Sequence, residues 1–259
     1  MPLIHLDMEG YVGVLTIDNP AKRNALGAQM TDEMIAALKT LESEGARAVI
    51  LRAKPGVKVW SSGHDIAELP GRSEDPLSYD DSLEKMLRAV KQFRAPVIAM
   101  VHGTVWGGAC DLALSCDIII ADPTATFAIT PANIGLPYNL SGILQFLSRL
   151  PLNVAKEMFF TAAPVSADNA RRWNLINHLV PEAELESFAY GMAQQIAAKA
   201  PLAVAVIKEQ FRMLVASRPM TPDTLERIQG MRRQVWQSKD YEEGIKAFHE
   251  KRPPRFTGE

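Results

Sequence analysis

Cysteine is scarce in this chain: Cys110 and Cys116 are the only two among 259 residues. On one helix they would stand about 9 Å apart along its axis, too far for a disulfide without rearrangement. Two buried, reduced thiols are therefore expected instead of a disulfide framework. Histidine is also sparse, and His5, His64, His102, His178 and His249 show no metal-ligand spacing, so no metal site is expected. The Gly-x-Gly-x-x-Gly and P-loop patterns are missing, and no bound cofactor is signalled. No apolar run reaches the roughly 20 residues that span a bilayer. Residues 1–20 contain Asp7, Glu9 and Asp18 and no basic segment leading into an apolar one, which argues against a signal peptide and for a cytoplasmic protein. Excess charge is lacking too: a net −2 gives no global attraction to nucleic acid or to an anionic membrane.

What is present is the composition of a soluble globular protein, 47% hydrophobic and 22% charged. The length allows one large domain, or one domain with a helical appendage. Val12–Ile17, Ala48–Arg52, Val97–Val101 and Asp117–Ala121 read as strands. Gln29–Ser43 has helical spacing, with Met30, Met34, Ala37, Leu38 and Leu41 on one face, and Asp111–Cys116 reads as a short buried helix. This alternation predicts an α/β architecture with largely parallel pairing. No repeat period is strict enough to announce a solenoid. From Asn139 onward helical spacing dominates, broken at prolines such as Pro151, Pro164 and Pro181. Pro201 stands near the start of a long helix through Val206 and Phe211, where its missing N–H does no harm.

Two glycine-flanked loops stand out. Val59-Trp60-Ser61-Ser62-Gly63-His64-Asp65-Ile66 follows a strand, and its glycine permits a sharp turn that leaves amides unpaired. His102-Gly103-Thr104-Val105-Trp106-Gly107-Gly108-Ala109-Cys110-Asp111 leaves a strand and enters a helix near Gly108, whose first amides lack internal partners and favour negative charge. Together the loops can offer N–H donors to one developing oxyanion. Each feature has a plainer reading. Gly107-Gly108 also suits a tight turn, His64 a surface position or a local hydrogen bond, and Asp111 simple compensation of the helix dipole.

The combination says more than its parts. Asn19-Pro20-Ala21-Lys22-Arg23-Asn24-Ala25-Leu26, Ser62-Gly63-His64-Asp65-Ile66, Gly103 with Gly107-Gly108-Ala109-Cys110-Asp111-Leu112-Ala113, Cys116-Asp117-Ile118, and Glu243-Gly244-Ile245-Lys246-Ala247-Phe248 with Glu250-Lys251-Arg252 occur in order. In this the sequence resembles the crotonase (enoyl-CoA hydratase/isomerase) superfamily over nearly its whole length. The resemblance implies a spiral of ββα units over residues 1–195 and a helical trimerisation region over residues 196–259. It implies an acyl-CoA thioester substrate, no further cofactor, and a homotrimer or dimer of trimers. The thioester oxygen is expected between the amides of His64 and Gly108. Lys22, Arg23, Ala25, Leu26 and Ser62 are expected near the CoA moiety, and Lys251 near its phosphates, often those bound to a neighbouring subunit.

Hydratases of this superfamily use two carboxylates to activate water. The first position here is Asp111, one methylene shorter than the usual Glu, and the second is Pro131, which cannot transfer a proton. Pro131 would then only line the acyl site. Thr130-Pro131-Ala132-Asn133-Ile134-Gly135-Leu136-Pro137-Tyr138-Asn139-Leu140, with Val105-Trp106-Gly107-Gly108 and Asp75-Pro76-Leu77-Ser78-Tyr79-Asp80-Asp81, resembles the superfamily's methylmalonyl-CoA decarboxylase branch. That likeness implies biotin-independent loss of CO2 through an enolate, with Tyr138 hydrogen-bonding the substrate carboxylate. Tyr138 also reads as a packed aromatic with its hydroxyl satisfied locally. An ionised Asp111 close to that carboxylate would oppose binding unless it is turned away or protonated. Hydration or isomerisation of an enoyl-CoA, and binding of CoA esters without turnover, are the alternatives. RNA binding, known in one branch through a lysine-rich helix, is disfavoured: residues 31–44 set Asp32, Glu33, Glu42 and Glu44 against Lys39 alone.

Overall fold

A computed structural model gives the fold and describes residues 2–216 and 220–259. The chain opens with the antiparallel strands β1 (Ile4–Glu9) and β2 (Val12–Ile17), followed by α1 (Ala28–Ser43). A second unit holds β3 (Ala48–Ala53), β4 (Val59–Ser61) and α2 (Ser82–Gln92). A third holds β5 (Val97–Val101), β6 (Thr104–Trp106) and α3 (Gly108–Ser115), and a fourth β7 (Ile118–Ala121), β8 (Thr126–Ala128) and α4 (Leu140–Arg149). Then come α5 (Leu152–Thr161), β9 (Val165–Ser166), α6 (Ala167–Arg172), β10 (His178–Leu179) and α7 (Leu185–Ala197). Three more helices close the described chain: α8 (Pro201–Ala216), α9 (Pro222–Trp236) and α10 (Lys239–His249).

Each unit after the first gives one strand to each of two sheets, ordered β1-β2-β3-β5-β7-β10 and β4-β6-β8-β9. All strand pairs are parallel except β1–β2 and β8–β9. This is the expected α/β spiral of ββα units. The inner strands of the larger sheet are covered on both faces, which is why β2 and β5 read as largely apolar runs, whereas the edge strand β1 alternates. Leu15, Val49 and Leu51 face the main core with α1 and α2, while Val12, Ala48, Ile50 and Ile98 face Leu185, Ala189 and Ala193 of α7. The small residues of α7 let it lie close to the sheet.

Strands Val12–Ile17 and Val97–Val101 have the expected bounds. The strand read as Ala48–Arg52 runs on to Ala53 and the helix read from Gln29 starts at Ala28, and two further boundaries need correction. The helix read as Asp111–Cys116 starts at Gly108, because Gly107 (φ 55°, ψ −128°) turns the chain there, and Asp111 falls in its first turn. The strand read from Asp117 starts at Ile118, since the Asp117 carboxylate is held by the Val97 amide (2.7 Å) and Lys208 Nζ (2.8 Å). Both cysteines are buried free thiols, raised by burial first of all, Cys116 to about 12.

Lys208 also donates to the Ala95 carbonyl (2.9 Å), pinning α8 to the core while Leu202, Val206 and Phe211 remain exposed. The helices α9 and α10 fold back: Trp236 and Tyr241 cluster with Leu77 and Leu136. Residue 195 lies in the last turn of α7. Among the described residues no helix is long and apolar enough to cross a membrane.

Candidate active site

Strands β4 and β6 are parallel neighbours, with Val59 opposite Thr104 and Ser61 opposite Val105, so the loops leaving their C-terminal ends start side by side. Gly63 makes the approach possible. Its φ is 85°, and a Cβ there would stand 2.4 Å from the Trp106 oxygen and 2.7 Å from the Gly108 nitrogen. A Cβ on Gly108 would in turn lie 3.3 Å from the His64 nitrogen. The backbone at His64 and Gly108 is therefore in close approach, and neither amide has an acceptor among the described residues. Gly108 is also the first residue of α3, where the partial positive charge of the helix terminus adds to the donors.

The side chain of His64 is held at both ring nitrogens. Its Nδ1 lies 3.0 Å from the Asp65 carbonyl oxygen and its Nε2 lies 3.2 Å from Asp81 Oδ2. Burial alone would lower its pKa, but the hydrogen bond and charge of Asp81, with smaller help from Asp65 and Glu68, raise it overall. Asp81 is itself the N-cap of α2 and accepts from the Leu83 amide (2.9 Å).

The loop carrying Lys22, Arg23, Ala25 and Leu26 is stapled to the His64 loop. Arg23 and Asn24 both have φ 53°, and the buried Asn24 side chain donates to the carbonyls of Val59 (3.0 Å) and Trp60 (3.1 Å). Ser61 Oγ donates to the Asn24 carbonyl (2.7 Å), the Ser62 amide to Arg23 (3.0 Å), and the Leu26 amide to Gly63 (2.8 Å). Lys22 pairs with Asp65 at 3.2 Å. The expected CoA-side residues Lys22, Arg23, Ala25 and Ser62 thus share one edge with His64. Leu26 differs: its side chain is fully buried, so it anchors the loop and offers at most its backbone.

Asp111, in the first turn of α3, meets Tyr138. The Tyr138 hydroxyl donates to Asp111 Oδ2, and Asp111 Oδ1 is buried without a partner among the described residues. Burial pushes the Asp111 carboxyl up to about 7, against the Tyr138 bond and with help from the negative charge of Glu84. Burial, then the charge of Asp111, raises Tyr138 as well. The phenol ring packs edge-on against Phe159, centroids 4.9 Å apart, and against Phe146. Glu84 accepts from Asn139 Nδ2 (2.6 Å) and Ser141 Oγ (3.0 Å), fixing the segment that follows Tyr138. Pro131 is buried at the start of the 3-10 turn Pro131–Ile134, against which α10 packs.

Lys251 stands apart from this group, exposed just beyond α10 at φ 54° with no side-chain partner among the described residues. Two surface cavities, of about 310 and 510 Å3, contain none of the expected site residues. Several residues around the site were not anticipated. Asp81 carried a usable signal, an acidic cap before helical spacing at Leu83, Met86, Leu87 and Val90. Arg232 carried none: it is buried on α9, donates to the Tyr138 carbonyl from Nε (3.1 Å), and grips both oxygens of Asp75 at 2.7 Å.

The Enoyl-CoA hydratase/isomerase family model matches residues 7–259. The methylmalonyl-CoA decarboxylase of Escherichia coli strain K12 is 48% identical over 256 residues, covering 96% of this chain and 98% of that protein. A crystal structure of methylmalonyl-CoA decarboxylase complexed with 2S-carboxypropyl-CoA superposes with a TM-score of 0.97 at 46% identity, over 99% of this chain and 98% of that one. Carnitinyl-CoA hydratase from Mycobacterium avium, 27% identical over the whole of both chains, gives 0.81. The glycine loops, the strand pairing that joins them and the likeness along nearly the whole sequence agree: the chain belongs to the enoyl-CoA hydratase/isomerase family.

Proposed function

We propose that this protein is a biotin-independent acyl-CoA decarboxylase that converts methylmalonyl-CoA to propionyl-CoA and CO2. The observation that carries the reading is the match at 48% identity, over almost the full length of both chains, to a protein of that activity. The site chemistry supports it. Pro131 stands where hydratases of the family keep their second carboxylate, and it has no proton to give or take.

Breaking the C–C bond to the carboxylate sends its electron pair into the thioester carbonyl, releasing CO2 and leaving an enolate. The main catalytic demand is charge on one oxygen. The amides of His64 and Gly108 meet it, and losing one such donor typically costs about 10²–10³ in rate. Orientation is the second demand, because the breaking bond must stand perpendicular to the thioester plane. Tyr138 holds the substrate carboxylate in that direction. A neutral Asp111 makes this possible: when substrate binds, the bond in which Tyr138 donates to Asp111 reverses, Asp111 donating its own proton to the Tyr138 oxygen and freeing the phenol O–H to point at the substrate. The upward shift of Asp111 to about 7 supports such a neutral form. Lys22, Arg23, Ala25 and Ser62 hold the CoA moiety, and Lys251 reaches the phosphates of CoA bound to a neighbouring subunit.

The deciding experiment offers purified protein methylmalonyl-CoA and crotonyl-CoA in parallel. Propionyl-CoA and CO2 are expected from the first, with little loss of enoyl absorbance from the second. Brisk hydration of crotonyl-CoA with methylmalonyl-CoA intact would refute the reading, and binding of both without turnover would leave a CoA-ester binder. Self-association as a trimer or dimer of trimers belongs to the same proposal, supported by the exposed apolar side chains of α8. Sedimentation equilibrium tests it.

A further inference from the structure

We propose that the first turn of α2 is a positioning device for the oxyanion hole, in which Asp81 holds His64 and Leu83 holds Gly108. The proposal rests on the decarboxylase reading above and adds to it residues that do not touch substrate. Asp81 uses its two oxygens differently. Oδ1 caps α2 through the Leu83 and Glu84 amides, at 2.9 and 3.4 Å, while Oδ2 faces His64 Nε2 at 3.2 Å. One carboxylate therefore fixes the helix and the histidine relative to each other. Two residues on, the Leu83 side chain lies against Gly108: a Cβ there would be 2.6 Å from Leu83 Cδ2. The same helical turn touches both residues whose amides form the hole.

The histidine contacts also define its protonation. The Asp65 carbonyl oxygen facing Nδ1 can only accept, and an ionised Asp81 facing Nε2 can only accept. Both ring nitrogens must donate, so the ring that satisfies both partners is the imidazolium. The charged groups around it are Asp81 from α2, Glu68 from the 3-10 turn Ile66–Glu68, and the Asp65 carboxylate, which pairs with Lys22. Burial opposes a charge on a ring only 8% exposed, and the acidic neighbours outweigh it, so the pKa is raised. A ring held at both ends cannot turn about its side-chain bonds, and the peptide carrying the His64 N–H is held with it. The positive charge lies on the residue whose amide receives the developing negative charge, and it favours the enolate over the neutral thioester.

Asp81→Asn tests this directly. Asparagine caps helices about as well as aspartate, so α2 keeps its start while the charge facing His64 is removed. The expected results are a lower His64 midpoint in an NMR titration of the ring, and a fall in kcat for methylmalonyl-CoA of about tenfold with KM within about twofold. The high-pH limb of the kcat profile should move to lower pH by the same amount as the ring midpoint. Leu83→Val, which loosens the contact with Gly108, should likewise lower kcat more than it raises KM. An unchanged His64 titration, an intact kcat in both variants, or a loss confined to KM would overturn the proposal. A wild-type chain inert toward methylmalonyl-CoA would overturn the decarboxylase reading by itself. The ring titration needs no turnover and decides the Asp81–His64 link separately.

Discussion

Replacing Asp111 by asparagine keeps the shape of the side chain and removes its ionisation. In the native protein burial raises this carboxyl from the ordinary 3.8 to about 7. Between those pH values the unfolded chain has lost the proton and the folded chain keeps it, so the folded state binds more protons and stability falls as pH rises. The loss is complete above about pH 7. Each tenfold step in the ionisation equilibrium is worth about 1.4 kcal/mol, so the full penalty comes to about 4 kcal/mol. Asparagine carries no such penalty. Its oxygen still accepts the Tyr138 hydroxyl, and its amide takes the place of Oδ1, which has no partner in the native site. Asp111→Asn is therefore expected to gain on the wild type as pH rises from 4 to 8, by up to about 4 kcal/mol. For a chain of this size that corresponds to about 8–16 °C in Tm. Thermal unfolding of both proteins at closely spaced pH values measures the difference directly. A difference that stays flat, or shrinks with rising pH, would show that Asp111 ionises normally and would remove the basis for the neutral acid proposed at the site.

Three further substitutions address other parts of the site. Tyr138→Phe should lower kcat/KM for methylmalonyl-CoA about tenfold or more, the order expected for one hydrogen bond to a charged group, and steady-state kinetics at fixed pH reads it. Gly63→Ala puts a Cβ 2.4 Å from the Trp106 oxygen at a φ of 85°, and must push the two loops apart. A displacement of about 1 Å costs roughly 100-fold in rate, so activity should fall at least that far in a protein that still binds CoA esters by calorimetry. Arg232→Met leaves Asp75 and the Tyr138 carbonyl without their partner. With Asp75 about a fifth exposed, a loss of about 2–3 kcal/mol in urea unfolding is expected.

The parts of the fold legible in the sequence were those whose burial is continuous along the chain. Val12–Ile17 and Val97–Val101 are almost wholly apolar because both faces of these inner strands are covered. The second sheet stayed hidden for a physical reason. Its strands β4, β6 and β8 are three residues long, too short to establish a period of two. With those strands unseen, the ββα repeat looked like simple alternation. The helix α2 went unread although Asp81 and the spacing of Leu83, Met86, Leu87 and Val90 mark it. At the candidate site, glycines marked the two loops because backbone geometry demands them locally. Glu84 and Arg232 could not be read, since their partners lie 55 and 94 residues away along the chain and nothing local reports such pairing.

The grip of Arg232 on Asp75 has a consequence for synthesis. The two residues are separated by 157 positions. At about 5–20 residues per second, roughly 10–30 s pass between their appearances on the ribosome. For the last 94 positions of that interval the nascent chain holds both glycine loops, while the carbonyl of Tyr138 still lacks the guanidinium that will hold it. The substrate site is thus finished from the far end of the chain, and α9 works as the closing stitch of a pocket whose other walls were built long before.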